Sequence, residues 1–377
     1  MIRIVPAVLL ALAMGACAGA PRLPFELDHR LGATPGVAQA VTGTPLRSYV
    51  DGPDRVAAFQ QGFDEGVPLG PDGVLDFIAL SGGGANGAFT AGVMKGWSES
   101  GNRPDFEVVT GVSAGALAAP FVFLGSDWDD ELEAAFTGGD ATNLLQSQGL
   151  GVFVGSGLYQ GEPLRALIER HVDERLLRAV AAEHAKGRVL LVATTDLDSQ
   201  RGVSWDLGAI AALGTPEALQ LFRTVLLASA SIPGVFPPVM IPSVSGDARL
   251  DEMHVDGGVT TPFLAIPEAL WALEEPHAGI AGARFHVIVN GRTTPEFSVT
   301  QDSMSGVLGR SVDALLLSSL TANLAGNRAF AIHHGIYFRY AALPDDAEHS
   351  ALDFSTEGMR TVFEIGRQGA RDGSIWR

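Results

Sequence analysis

Cysteine is almost missing from this chain. Cys17 is the only one, so no internal disulfide can form. Basic charge is scarce as well: 25 Lys and Arg stand against 43 Asp and Glu, for a net charge of −18. Nucleic-acid binding demands basic patches, so that class is disfavoured. Electrostatic docking on an anionic membrane surface is disfavoured for the same reason. The apolar run from Ile4 to Ala16 has about 13 residues, too few to span a bilayer. Only 18% of residues are charged and 46% are hydrophobic, the signature of a well-buried globular core rather than of disorder. The length, 377 residues, allows one large α/β domain or two ordinary ones.

What the chain does have is glycine, placed in two telling turns. Ser81-Gly82-Gly83-Gly84-Ala85-Asn86-Gly87 follows the apolar run Leu75 to Leu80. Gly111-Val112-Ser113-Ala114-Gly115 follows Phe106 to Thr110. Each run reads as a strand and each turn leads into a helix-like stretch. The second turn is the kind that lifts a serine hydroxyl out of a sharp strand-to-helix bend. The first offers a row of backbone N–H groups at a helix N-terminus, where negative charge is stabilised. A nucleophile beside an anion-stabilising loop is the minimum equipment for acyl transfer. Neither turn is decisive alone, because Gly-x-Ser-x-Gly recurs by chance in a chain with 46 Gly. The first turn also fits a dinucleotide fingerprint, which wants an acidic residue at the end of the next strand. That strand ends in Thr110-Gly111, and no Gly-Lys-Ser/Thr follows, so neither a dinucleotide site nor a P-loop is expected.

A serine needs a base. Met253-His254-Val255-Asp256-Gly257-Gly258-Val259 is a short apolar strand with an aspartate at its end and two glycines that turn the chain away. In open α/β sheets functional groups gather at the carboxyl ends of strands. Asp256 is therefore expected on the edge that carries Ser113, provided both strands are parallel members of one sheet. Partial burial would raise its pKa toward the working range of a general base. The plain alternative is a turn aspartate before Gly-Gly.

Together these pieces resemble the patatin-like phospholipase family. The resemblance covers most of residues 75–340, as four blocks in the family's order. Besides the Ser81–Gly87 turn, the Gly111–Gly115 turn and Asp256-Gly257-Gly258, it includes Ala228-Ser229-Ala230-Ser231-Ile232-Pro233-Gly234-Val235-Phe236-Pro237-Pro238. It implies a Ser113–Asp256 dyad, an oxyanion hole from the N–H groups of Gly82, Gly83 and Gly84, and an acyl-serine intermediate. It implies a lipid acyl hydrolase, phospholipase A-like, that acts on a lipid ester with no metal or cofactor. Gly111 and Gly115 would shape the nucleophile turn, with Asn86, Gly257 and Gly258 in support. One departure stands out: the family loop usually carries Arg or Lys where this chain has Asn86. That removes a positive charge beside the oxyanion hole and puts a preference for anionic substrates in doubt.

A Ser–acid–His triad is the rival, with His286, His333 or His334 in the required chain order. His286 lies inside a strand, and His333-His334 precede another, so no loop presents one histidine in isolation. His254, two residues before Asp256, should share its face of the strand and is read as a neighbour. From other classes, a non-catalytic envelope binding or assembly protein on the same fold and a short-chain carboxylesterase remain as alternatives.

The first residues resemble a bacterial lipoprotein signal. Met1-Ile2-Arg3 is a short positive region, and Met14-Gly15-Ala16 puts small residues before Cys17. Cys17 would be lipidated and tie the chain to a membrane. Ala18 in place of an aspartate favours the outer membrane of a Gram-negative cell. Ala18-Gly19-Ala20 also fits a small-x-small cleavage site, which leaves a secreted or periplasmic protein as the alternative.

The expected organisation is a signal at 1–16, a tether and irregular extension at 17–70, a catalytic domain at 71–345 and a C-terminal helix at 346–377. Strands are expected at 75–80, 106–110, 188–195, 203–207, 253–256, 285–290 and 335–340. Helices are expected at 86–100, 114–124, 158–171, 173–186, 216–231, 309–327 and 356–370, with a helical and loop insertion at 127–151. This alternation predicts a three-layer α/β/α fold around a mainly parallel sheet. Asp196 and Asp198 at a strand end are expected to serve turn chemistry rather than a metal. Phe121, Phe123, Trp128 and Phe136 are candidates for an acyl groove, with core packing expected for most.

Overall fold

Near-continuous apolar runs make the central strands, because both of their faces are buried. The computed structural model describes residues 34–35, 46–53, 68–145, 159–245, 247–266, 280–347 and 350–377. The expected signal, Cys17 and most of the tether lie outside these residues.

Among the described residues the strands are β1 (Thr34–Pro35), β2 (Arg47–Tyr49), β3 (Asp76–Leu80), β4 (Val108–Val112), β5 (Val189–Asp196), β6 (Arg201–Asp206), β7 (Val239–Ser245), β8 (Ala248–Asp256), β9 (Arg284–Val289) and β10 (Tyr337–Ala342). The helices are α1 (Gly87–Glu99), α2 (Ala114–Leu124), α3 (Asp129–Thr137), α4 (Glu162–His171), α5 (Glu174–His184), α6 (Leu207–Ala212), α7 (Pro216–Ser229), α8 (Met304–His333) and α9 (Thr356–Asp372). All form one sheet with helices on both faces, an α/β fold.

The sheet is mixed. Strands β5-β4-β3-β9-β10 run parallel, and β3 and β4 carry the two glycine-rich turns at their carboxyl ends. The remaining pairings, β5–β6, β5–β8, β7–β8, β1–β7 and β2–β6, are antiparallel. Alternation along β3 sorts the two faces. Ile78 and Leu80 join the large core under α1, α2, α7 and α9, and Phe77 and Ala79 join a smaller core with Phe263, Phe285, Leu324 and Phe330. The second half of α8 covers this smaller core. α9 packs along α1, where Arg367 pairs with Glu99 at 2.7 Å.

Part of the N-terminal extension belongs to the sheet. β2 pairs with β6, and Arg47 clasps Glu252 of β8 with two hydrogen bonds of 2.5 and 2.9 Å. Burial pushes the Glu252 carboxyl up, but hydrogen bonds from His254, Arg47 and Ser243 overcome this and hold it well below the usual carboxylate range.

Several expected boundaries move. β4 ends two residues later than expected, so Gly111 and Val112 lie inside it. The strand expected at 253–256 is the end of a nine-residue strand that forms a hairpin with β7. α4 begins at Glu162, not at 158. α8 extends the helix expected at 309–327 in both directions.

Candidate active site

Ser113 follows the last residue of β4 and adopts φ 55° and ψ −123°, a left-handed backbone that a side chain rarely tolerates. The strain turns the chain sharply into α2 and raises the hydroxyl off the sheet edge. Gly115 lets the turn lie close under β3, since a Cβ there would stand 2.4 Å from Leu80 O. The turn is pinned from below. Ser113 N–H donates to Ser229 Oγ at 2.9 Å, and the Ser229 hydroxyl donates to Ala193 O at 2.7 Å.

Asp256 arrives from the opposite direction. β8 is antiparallel to β5, so the premise of two parallel strands is overturned. The meeting has another cause. β6 takes one edge of β5, and β4 and β8 share the other. Val112 stands beside Ala193 and Asp256 beside Thr194, the next residue along. The two strands run head to head, and their carboxyl ends meet. Ser113 Oγ donates to Asp256 Oδ2 at 2.5 Å. The other oxygen, Oδ1, accepts Gly258 N–H at 2.7 Å, and Gly257 packs against Ala193 O where no side chain fits. Both Ser113 and Asp256 are buried. Burial pushes the Asp256 carboxyl up to about 7, although the bonds from Ser113 and Gly258 pull it down.

The first glycine turn crosses over the serine. A Cβ on Gly82 would lie 3.2 Å from Ser113 Cβ, one on Gly83 2.2 Å from Asn290 O, and one on Gly84 2.1 Å from Ala351 O. Gly82 N–H is directed at Pro262 O at 3.4 Å. Among the described residues, the N–H groups of Gly83 and Gly84 meet no hydrogen-bond acceptor. Asn86 is buried, donates its N–H to Gly83 O at 3.1 Å, and lines a cavity of about 310 Å³ with Asp353, Ser355 and Met359.

Asn290, at the end of β9, was invisible as a site residue in the sequence. Its N–H donates to Ser81 Oγ, its amide nitrogen donates to Ser81 O, and its Oδ1 accepts both N–H and hydroxyl of Thr90. It therefore ties the glycine turn to α1. Ser229 and Ser231 were missed as well, though the third sequence block contains both. Ser231 O accepts Asp256 N–H at 3.0 Å.

The histidines take other work. His286 Nδ1 accepts from Arg339 at 3.0 Å and its Nε2 faces Asp76 at 3.3 Å, near the amino ends of the parallel strands. Burial pushes its pKa down to about 4. His334 stacks on Phe330 at the far end of α8, and His333 is its neighbour. His254 bonds Thr194 and Glu252. Among the described residues no group of His, Cys, Asp and Glu side chains is arranged to hold a metal ion. Asp196 accepts Asp198 N–H and the Ser199 hydroxyl, which is turn chemistry.

The candidate groove aromatics divide. Phe121 and Phe136 line a small apolar cavity of about 50 Å³ beside Gly84, with Leu117, Leu144 and Phe354. Phe123 is buried under Arg188, and Trp128 carries Arg175 over its ring at 4.1 Å.

Residues 78–267, just over half of the chain, match the family model of the patatin-like phospholipases. The chain belongs to the patatin-like phospholipase family. Membership brings lipid acyl hydrolase activity in the general sense. No curated protein matches this patatin-like chain. Among solved structures it is similar to VipD from Legionella pneumophila, with a TM-score of 0.40 and 12% identity over 82% of this chain and 70% of that one.

Proposed function

We propose that this patatin-like protein hydrolyses carboxylic esters of lipids through a Ser113–Asp256 dyad. The observation that carries the reading is the 2.5 Å bond from Ser113 Oγ to a buried carboxylate whose pKa is pushed up to about 7. Ser113 Oγ attacks the ester carbonyl carbon and passes its proton to Asp256. The carbonyl oxygen gains the negative charge and is held by N–H groups of the Gly82–Gly84 turn, chiefly those of Gly83 and Gly84. Collapse breaks the C–O bond, and the leaving alcohol takes the proton back from Asp256. Water then attacks the acyl-serine and gives a proton to Asp256; collapse breaks the bond from the acyl carbon to Ser113 Oγ, which takes that proton back, and the fatty acid is released. No step calls for a metal or cofactor.

The test is labelling with a fluorophosphonate, which reacts with an activated serine whatever the natural ester. The wild-type protein is expected to label, and Ser113→Ala is expected not to. A well-folded wild type that stays unlabelled would sink the dyad and make a binding or assembly role the leading one.

We also propose that Cys17 carries lipid and anchors the protein in the outer membrane of the envelope. The supporting observation is the small-residue run before a lone cysteine. A mature N-terminal peptide that begins after residue 17, or bears no lipid mass on Cys17, would overturn this.

A further inference from the structure

α8 is too long for its place in the fold. It connects β9 to β10, which lie side by side and parallel, so it must run from the carboxyl edge of the sheet back to the amino edge. A six-residue strand is about 20 Å tall. A 30-residue helix measures about 45 Å. The half from Leu320 onward packs on the sheet through Leu320, Leu324 and Phe330 and is enough for the return journey. The half before it is mostly exposed, joins no core cluster among the described residues, and extends past the carboxyl edge. That is the edge where Ser113, the Gly82–Gly84 turn and Asn290 lie.

The overhang is apolar where a solvated helix would be polar. Met304, Leu308, Val312 and Leu315 recur at helical spacing and are all exposed, Met304 at 82% and Leu315 at 70%. This stripe lies about 145° around the helix from the face that Leu320 and Leu324 bury. The loop that leads from Asn290 into α8 adds Phe297 at 94% and Val299 at 84% exposure. It is held at the active-site edge, with Arg292 bonded to Ala347 O and Thr294 to Asp345. Charge is nearly absent here. In a chain of net charge −18, residues 297–327 carry only Asp302, Arg310 and Asp313.

We propose that the 297–316 segment is an interfacial docking surface, which lays its apolar stripe into a zwitterionic phospholipid bilayer and sets the Ser113 edge against the membrane. The proposal rests on the lipid-ester reading above and deepens it. An uncharged apolar stripe gains from acyl chains by area alone. It avoids the repulsion that anionic headgroups would exert on so acidic a chain. No described helix is long and apolar enough to cross a membrane, and α8 would lie along the interface.

The test uses the full chain in a Cys17→Ser background, with Leu315→Cys bearing an environment-sensitive fluorophore. Phosphatidylcholine vesicles are expected to shift its emission to the blue, and lipids brominated on their acyl chains are expected to quench it. In parallel, Leu308→Asp/Leu315→Asp is expected to lower the ratio of vesicle to soluble short-chain ester turnover at least tenfold. An unshifted, unquenched probe overturns the proposal, whether or not the enzyme is active. So does a concentration-dependent dimer that buries the probe without vesicles, which would make a second copy the occupant. Loss of hydrolysis on both substrates with the probe still inserting would count against the dyad and leave the docking surface standing.

Discussion

Asn290 and Ser81 are joined twice, once from backbone N–H to hydroxyl at 2.9 Å and once from side-chain amide to carbonyl at 2.8 Å. Ser81 opens the glycine turn over Ser113, so this double clasp fixes the height of the turn above that serine. The remaining oxygen of Asn290 holds the first turn of α1 through Thr90. One residue, through its backbone and its side chain, thus joins the turn, the helix after it and the strand beside it.

Asn290→Ala should therefore act on rate more than on binding. The loss of a buried partner leaves Thr90 and Ser81 groups unsatisfied and costs about 1–3 kcal/mol of stability. A loosened turn misaligns the oxyanion donors, and kcat is expected to fall by about 10–100-fold with KM little changed. Steady-state kinetics on a soluble ester, with a thermal melt as control, checks this. A melt that shifts while kcat stays at the wild-type value would show that Asn290 is structural only.

Gly83→Ala tests the turn from the other side. A Cβ at this position would sit 2.2 Å from Asn290 O, so the turn must move away from the strand end. Loss of one oxyanion donor costs roughly 10²–10³ in kcat in enzymes of this type of chemistry. The same range is expected here, and fluorophosphonate labelling should slow in proportion.

The raised pKa of Asp256 ties activity to pH. The carboxyl must be ionised to accept the Ser113 proton, and burial holds that transition at about 7. The rate of acylation should rise as pH increases through 7 and level off above it. A profile flat from pH 5 to pH 9 would contradict Asp256 as the base.

Stability should move the other way. A folded pKa raised from 3.8 to about 7 means that neutral Asp256 is favoured in the fold. Its contribution is intact below about pH 4 and is lost as pH rises through 7. Asp256→Asn removes that loss. It should abolish hydrolysis yet raise stability at pH 8 by something on the order of 2 kcal/mol, with little gain at pH 4. Denaturant melts of both proteins at the two pH values provide the comparison.

Arg47 belongs to the extension, but its guanidinium is set against a buried carboxylate. Arg47→Ala should strand Glu252 on β8 and cost about 3 kcal/mol or more. The double change Arg47→Met/Glu252→Gln should recover much of it. An Arg47→Ala protein as stable as its parent would mean that the Arg47–Glu252 pair contributes nothing to stability.

The candidate site residues are legible in the sequence, and the strand directions that bring them together are not. Ser113 and Asp256 stood out because strained and sharply turning backbones demand glycine at fixed neighbours, and that demand is written in the letters. The last four residues of β8 carry no sign of its direction, which the hairpin with β7 sets. Ser245-Gly246-Asp247 is a turn signal between two β-rich runs, and a hairpin there reverses β8. Pro242 masked its partner β7, since proline argues against a strand. Asn290 gave no signal, because a polar residue after a strand is what any loop begins with. The start of α8 was hidden by Gly306 and Gly309, which weaken the helical pattern although the helix runs through them.

The head-to-head meeting of β4 and β8 has a bearing on how such enzymes diversify. Val112, the residue before Ser113, and Asp256 sit opposite consecutive residues of a third strand, about 3.3 Å apart along it, a step set by the peptide unit itself. No loop length enters that spacing. The chain between Val112 and Asp256 can therefore lengthen, shorten or trade helices without moving the two strand ends apart along β5. Substrate range is free to drift in the connections while the chemistry stays gauged against β5.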